Sequence, residues 1–205
     1  MTLRTYLGLQ RRRVNIFVRR PRLGVYTWIT ENPYSEMIYA QFRGADAPLA
    51  MTDLRELETF TKLPPDGRLL WIHSEASYSW GRATEEQLNA SYRSYVHSLK
   101  RWSNKAGRLV WTVHDDGLHL NDADTSRIRD LRFMLSQMAD CVHVHSEAAK
   151  ALVIRDFGVE AERTSVVRHP SYAPLYSASE AGIAAIDLAR PRRLLCFGHI
   201  KPYKD

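Results

Sequence analysis

The chain has 205 residues, 44% of them hydrophobic and 25% charged, with 29 Lys+Arg against 23 Asp+Glu and a formal net charge of +6. These are globular proportions, and a chain this long buries roughly 70% of the surface its unfolded form exposes, which excludes disorder as the main state and any need for disulfide staples. The longest purely apolar runs, such as residues 69–72, are strand-sized and far short of the roughly 20 residues of a membrane span.

The first 22 residues carry Arg4, Arg11, Arg12, Arg13, Arg19, Arg20 and Arg22 and no acidic residue. Such a cluster attracts phosphates of nucleic acid or of anionic lipid headgroups; a solvated N-terminal segment accounts for it equally well. Arg11, Arg12 and Arg13 also interrupt the only apolar stretch that could serve as a secretory signal. Residues 14–18 (VNIFV) are the first strand candidate. The stretch RRPRLGVYTWITENPY reads as a loop, and Asn32, Pro33 and Tyr34 open a short helix through Met37, Ile38 and Phe42. Proline suits the first helical turn, where its missing N–H would be unpaired anyway.

Residues 69–73 (LLWIH) form the second predicted strand. A helix begins at Thr84 with Gln87 at capping-box spacing. Leu88, Tyr92, Tyr95, Val96, Leu99 and Trp102 step along one face by three and four, with Arg93, His97 and Arg101 on the other. Residues 109–113 (LVWTV) are a third strand, followed by the polar loop HDDGLHLNDAD and a helix marked by Ile128, Leu131, Leu135 and Met138. Residues 141–145 (CVHVH) are a strand, Ser146 is placed to cap a helix and Gly158 to stop it. Residues 164–168 (TSVVR) are another strand before HPSY. The Ala-, Ser- and Pro-rich residues 173–192 read as a linker, and residues 193–197 (RLLCF) as a last strand before Gly198.

Strands alternating with helices of this length predict an α/β fold, a doubly wound, Rossmann-like parallel sheet. Ligands of such sheets bind beyond the carboxyl ends of the strands. Of eight histidines, His73, His114, His145, His169 and His199 fall at or just past predicted strand ends, and His97, His119 and His143 do not. As a set the five point to a polar binding cleft, since imidazole both donates and accepts hydrogen bonds. His114, Asp115, Asp116 and His119 are the densest cluster. Carboxylate beside imidazole suits proton abstraction from a hydroxyl, whereas Asp115 and Asp116 could equally cap the turn before Gly117.

His143 and His145 share one face of a strand, but with no Cys pair and no H-E-x-x-H a metal ranks below a dry, metal-free site. Neither a dinucleotide fingerprint nor a P-loop occurs, and no G-x-S-x-G elbow. Trp71 and Trp111 lie inside strands and are expected in the core, while Trp28 and Trp80 are better placed to stack on sugar rings. Cys141 and Cys196 lie far apart in strand-like runs, the usage of a reduced compartment.

At this level the residues resemble the family-4 kind of GT-B-fold glycosyltransferases. FGHIKPYKD looks like the segment opening their second domain, where a strand runs into Gly, a basic residue and a Lys that hold the donor diphosphate. VHSEAAKALVIRDFGVEAERTSVVRHPSY looks like the end of their first domain, WTVHDDG is similar to their "TvHn/TvHd" segment, and ENPYSEMIYAQF resembles the first loop and helix of the branch that makes bacterial surface polysaccharides. The resemblance runs from about Val14 to the last residue. Three departures stand out: the double glycine after the first strand is absent, His199 replaces the usual Arg, and Asp205 replaces the usual Gly.

The resemblance implies a basic extension at 1–13, an acceptor-side Rossmann-like domain at 14–176, a linker at 177–192 and the start of a donor domain at 193–205. It implies transfer of a hexosyl group from a nucleotide-diphosphate sugar to a glycan or lipid-linked hydroxyl, with no cofactor and no metal. His114 and Asp115 would position the acceptor, with Asp116 competing for the role of base. Glu31, Asn32, Tyr34, His73, His145 and His169 would bind the acceptor, and Lys201 and Lys204 the donor diphosphate. The family leans towards retention at the sugar carbon. A cytoplasmic enzyme is expected, resting on an anionic membrane surface, with no nucleic-acid partner. Because the donor-side glutamates are not in this sequence, the 205 residues alone are expected to be inactive without a separate donor-domain chain. The alternative is a non-catalytic module, truncated or from a split gene, that binds glycan, lipid or a partner subunit.

Overall fold

The computed structural model describes residues 22–27, 37–38, 48–79, 84–114 and 122–169. The chain divides into two compact units, Met1–Pro170 and Ser171–Asp205, and every described residue belongs to the first. Among these residues six strands form one sheet: β1 (Leu23–Tyr26), β2 (Leu49–Met51), β3 (Leu69–Ile72), β4 (Arg108–Thr112), β5 (Cys141–Val144) and β6 (Thr164–Val166). The helices are α1 (Leu54–Lys62), α2 (Glu85–Asn104), α3 (Asp122–Met138) and α4 (Glu147–Phe157). Every strand pair is parallel, in the order β2-β1-β3-β4-β5-β6. The fold is the expected doubly wound, Rossmann-like α/β sheet.

Strand parity sorts the side chains. Tyr26, Leu70, Ile72, Leu109, Trp111, Val142 and Val144 belong to the main core, which α1 to α4 complete with residues including Phe60, Tyr95, Leu131 and Val153. Leu23 and Val25 form a second cluster with Ile38, Leu69 and Trp71, on the other face of the same strands. Burial of both faces is what makes the strands read as short apolar runs instead of alternating ones.

The helix ends match their sequence signals. Thr84 accepts from the Gln87 amide at the start of α2 and Ser146 from the Ala149 amide at the start of α4. Gly158 closes α4 at φ 65°, a left-handed conformation that glycine adopts without penalty. Along α2, Tyr95, Leu99 and Trp102 are buried while Arg93 and His97 are exposed, as the periodicity predicts. Ile128, Leu131 and Leu135 are likewise the buried stripe of α3.

One expectation is overturned. The stretch read as a loop, RRPRLGVYTWITENPY, contains β1, an interior strand paired on both sides. Its signal is hidden because Gly24 sits in the middle and arginines precede it. Gly24 is there for packing: a Cβ would lie 2.7 Å from the Phe60 ring of α1 and 3.0 Å from Met51 Cε. Strand β2 and helix α1 also went unrecognised. Three residues carry no periodicity, but α1 did have a signature: Asp53 accepts from the Glu56 amide while Glu56 accepts from Asp53 and Thr52, a complete capping box.

The strand candidate at 14–18, the linker at 177–192 and the strand at 193–197 lie outside the described residues. Of the helix expected after Pro33, Met37 and Ile38 are described and are helical. No helix among the described residues is long and apolar enough to cross a membrane.

Candidate functional site

Three consecutive strands, β3, β4 and β5, are each followed within two residues by a histidine that stands two residues after a polar or aromatic side chain: Trp71-x-His73, Thr112-x-His114 and His143-x-His145. Because side chains two apart share a face, and because Thr112 is in register with His143, all six project to the same side of the sheet, opposite the main core. Just beyond β6, Val167 and His169 continue the row by the same parity. The order along the sheet is β3, β4, β5, β6, so four imidazoles line up across it. Ring centroids are 4.6 Å apart for His73–His114, 5.2 Å for His114–His145 and 5.5 Å for His145–His169, and His143 joins at 4.7 Å from His145. The row lies beyond the strands' carboxyl ends, and begins on β3, beside the point between β1 and β3 where the strand order reverses. That is where open α/β sheets take their ligands.

Four predicted residues, His73, His114, His145 and His169, are thus brought together. His143, which the strand pattern would turn towards the core, is buried but lies on the histidine face, opposite the main core, its ring packed edge-on against both Trp71 and His145. Glu31, Asn32, Tyr34, Asp115, Asp116, Lys201 and Lys204 lie outside the described residues, as do Trp28, Trp80, His119 and His199. Trp111 is fully buried, as expected; Trp71 is half-buried, and its indole N–H donates to Thr112 Oγ1 at 2.8 Å.

The row grades from dry to wet. His73 is buried and hydrogen-bonded through Nε2 to His114 Nε2 at 3.2 Å, while His114 and His169 are exposed. Burial, reinforced by the imidazoles of His114, His143 and His145, pulls His73 down to about 2. Burial also lowers His143 to about 4, opposed by its bond to the Val167 carbonyl and assisted by His145. At neutral pH both are uncharged, so they add no fixed positive charge to this edge, while the nitrogens of His143 are taken up by Thr112 and the Val167 carbonyl. Such a surface suits hydroxyl groups better than it suits phosphate.

Behind this edge the turn that follows His73 is locked to α3. Glu75 and Arg132 form a buried ion pair, Nε to Oε1 2.6 Å, with each side chain 7% exposed. Tyr95 stacks on Tyr78 at 5.7 Å and packs against Tyr26 at 5.2 Å. Burial first, then Tyr26, Glu75 and Tyr78, push the Tyr95 phenol well above its ordinary range. Sequence reasoning passed over Glu75 and Arg132. The signal available was an acid two residues beyond a strand-end histidine, and an Arg one residue after Leu131 on an otherwise apolar stripe.

Fold and site together define a class: a parallel, doubly wound α/β domain with a row of histidines at its carboxyl edge. No protein-family model, no curated protein and no solved structure matches the chain. Among the described residues no group of three or more His, Cys, Asp or Glu is arranged to hold a metal ion.

Proposed function

We propose that this domain is the acceptor side of a glycosyltransferase, moving a sugar from a nucleotide diphosphate to a hydroxyl of a glycan or lipid-linked acceptor. The observation that carries the reading is the row of imidazoles on one sheet face, two of them kept neutral by burial. A polyol needs donors and acceptors alternating over several ångströms, and neutral imidazole supplies one of each. Held in such a row, a sugar hydroxyl would meet the electrophilic carbon of the donor already oriented, which removes much of the entropic barrier to a bimolecular transfer. His114, His145 and His169 supply the accessible contacts and His73 the buried wall. Asp115 and Asp116 are candidates for the base, and Lys201 and Lys204 for neutralising the leaving diphosphate. The order of sequence segments resembling family-4 GT-B enzymes supports the same reading.

The test is transfer of radiolabelled sugar from UDP-glucose, UDP-galactose, UDP-N-acetylglucosamine and GDP-mannose into a membrane lipid extract of the source cells. The assay is run with the 205-residue chain alone and with the chain supplemented with cytosol of the source cells. Incorporation that falls on His114→Ala supports the reading. Binding of glycan, read from histidine NMR shifts, with no incorporation in either assay would replace it with the non-catalytic module.

A further inference from the structure

Away from the histidine edge, two large apolar side chains on neighbouring helices are left in solvent. Phe133 on α3 is 58% exposed and Leu152 on α4 is 38% exposed. The helices touch where Ser136 Oγ of α3 lies 3.2 Å from the Phe157 carbonyl at the end of α4. The Asp156 carboxyl, held below its ordinary range chiefly by its bond to Arg155, is lowered further by Arg129 of α3. Arg129 precedes Phe133 by one helical turn and Leu152 precedes Asp156 by one, so the stripe carrying Phe133 borders the stripe carrying Leu152.

Around Leu152 the outer face of α4 is apolar. Val153 is buried and Ala149, Ile154 and Phe157 are half-buried, which leaves Ala148, Ala151, Leu152 and Arg155 at the centre of the exposed face. Their spacing is three and four, the positions that ordinarily carry charge on a solvated face; here only Arg155 does.

The charges flanking this patch are placed symmetrically. Glu147 and Arg155 stand four residues either side of Ala151. When two copies of α4 pack antiparallel about a two-fold axis at Ala151, Glu147 of each is level with Arg155 of the other. Leu152 of each comes level with the gap between Ala148 and Ala151 of the other, where small side chains leave room for it. The same axis keeps both Phe133 side chains on one side of the helix pair and extends the apolar contact.

We propose that this face of α3 and α4 binds a second copy of the chain, antiparallel through α4, with Glu147–Arg155 pairs at both ends of an apolar centre formed by Leu152 and Phe133. Opposite charges in self-complementary positions favour a second copy over any other partner, because a two-fold contact uses the same patch twice. In the single chain Arg155 pairs with Asp156, Nε to Oδ1 2.6 Å, and an exposed pair is weak enough to exchange for the intermolecular one. The contact is small, so the dimer is weak and concentration-dependent. The histidine row lies on the opposite face of the sheet from α4, so pairing through α4 does not engage it. The inference stands independently of the glycosyltransferase reading.

Sedimentation equilibrium of the 205-residue chain, from about 3 to about 300 μM, is the test. The expected result is a mass that rises reversibly from 23.7 kDa towards twice that value. Glu147→Arg and Arg155→Glu each set like charges opposite one another at both ends, and each should weaken self-association by about tenfold or more. The double variant Glu147→Arg/Arg155→Glu restores opposite pairs and should recover it. Phe133→Ser should give monomers, with urea midpoints showing that each variant stays folded. Should a charge reversal fail to fold, Ala151→Glu sets two carboxylates against each other at the two-fold axis and takes its place.

A chain that stays monomeric at the highest concentration overturns the inference. So does a dimer that the single reversals leave unchanged or that the double variant fails to recover. Monomers that instead bind phosphatidylcholine vesicles, with binding lost in Phe133→Ser, would assign the patch to a lipid surface and end the proposal.

Discussion

Glu75 and Arg132 show how one pair can hold a site without belonging to it. Both are charged and almost fully buried, and the turn carrying Glu75 begins two residues after His73. Removing one partner leaves the other as an uncompensated buried charge, a loss on the order of 3–5 kcal/mol. Arg132→Met is therefore expected to lower the urea midpoint strongly, and the double variant Glu75→Gln/Arg132→Met to recover a large part of the loss. A double variant as unstable as the worse single one would show that packing of the arginine stem, and not charge pairing, is what matters. Neither residue advertises this role in the sequence, because a Glu after a strand and an Arg on a helix are ordinarily solvated.

At the scale of elements, β1 and α1 approach each other closely at a glycine. Gly24 leaves room for the Phe60 ring, which in turn packs against Trp102 of α2 at 5.2 Å. A second glycine does the same after α2: a Cβ on Gly107 would lie 2.4–2.6 Å from the Trp102 indole, whose N–H donates to the Arg108 carbonyl at 2.9 Å. Gly24→Ala should thus force Phe60 and Met51 aside and cost about 1–3 kcal/mol, as overpacking does. Urea unfolding measures it, and an unchanged midpoint would mean the α1–β1 contact has slack. The relief of that strain by Phe60→Leu in the Gly24→Ala background is the matching second measurement. Helix periods in α2 and α3 were legible because one face repeats over many residues; β1 and β2 were not, since three or four residues are too few to show a contrasting face.

For the molecule as a whole, the histidine row makes stability depend on pH. His73 and His143 have ordinary values near 6.5 when unfolded and about 2 and about 4 when folded. Above pH 6.5 both states are neutral and stability is fully present. As pH falls below 6.5 the unfolded chain takes up protons that the folded chain refuses, so stability is lost towards the folded values. With both groups contributing, the slope reaches up to about 2 kcal/mol per pH unit near pH 5. Urea midpoints at pH 7, 6 and 5 check this; a flat response would show that neither ring is held neutral. The arginines of residues 1–13 act at the same scale. Each basic residue near an anionic surface contributes about 1 kcal/mol, so deleting 1–13 should weaken binding to phosphatidylglycerol vesicles by up to about 10³-fold at low salt. Unchanged binding would remove the membrane from the proposal.

By itself the sequence determined the fold class, the helices with long stripes and their caps, and the concentration of histidines at strand ends. These are local properties: periodicity, turn chemistry and the alternation of strand with helix all act within some 20 residues. Only the tertiary structure decided that β1 lies in the interior of the sheet, that Arg132 is paired and buried, and that His143 belongs with the cleft. It alone set the Val167 carbonyl between the rings of His143 and His145. The physical reason is the parallel sheet, whose neighbours are joined by long crossovers. Registers such as Thr112 with His143, and a carbonyl shared between two rings, exist only once segments distant in the chain have been laid side by side.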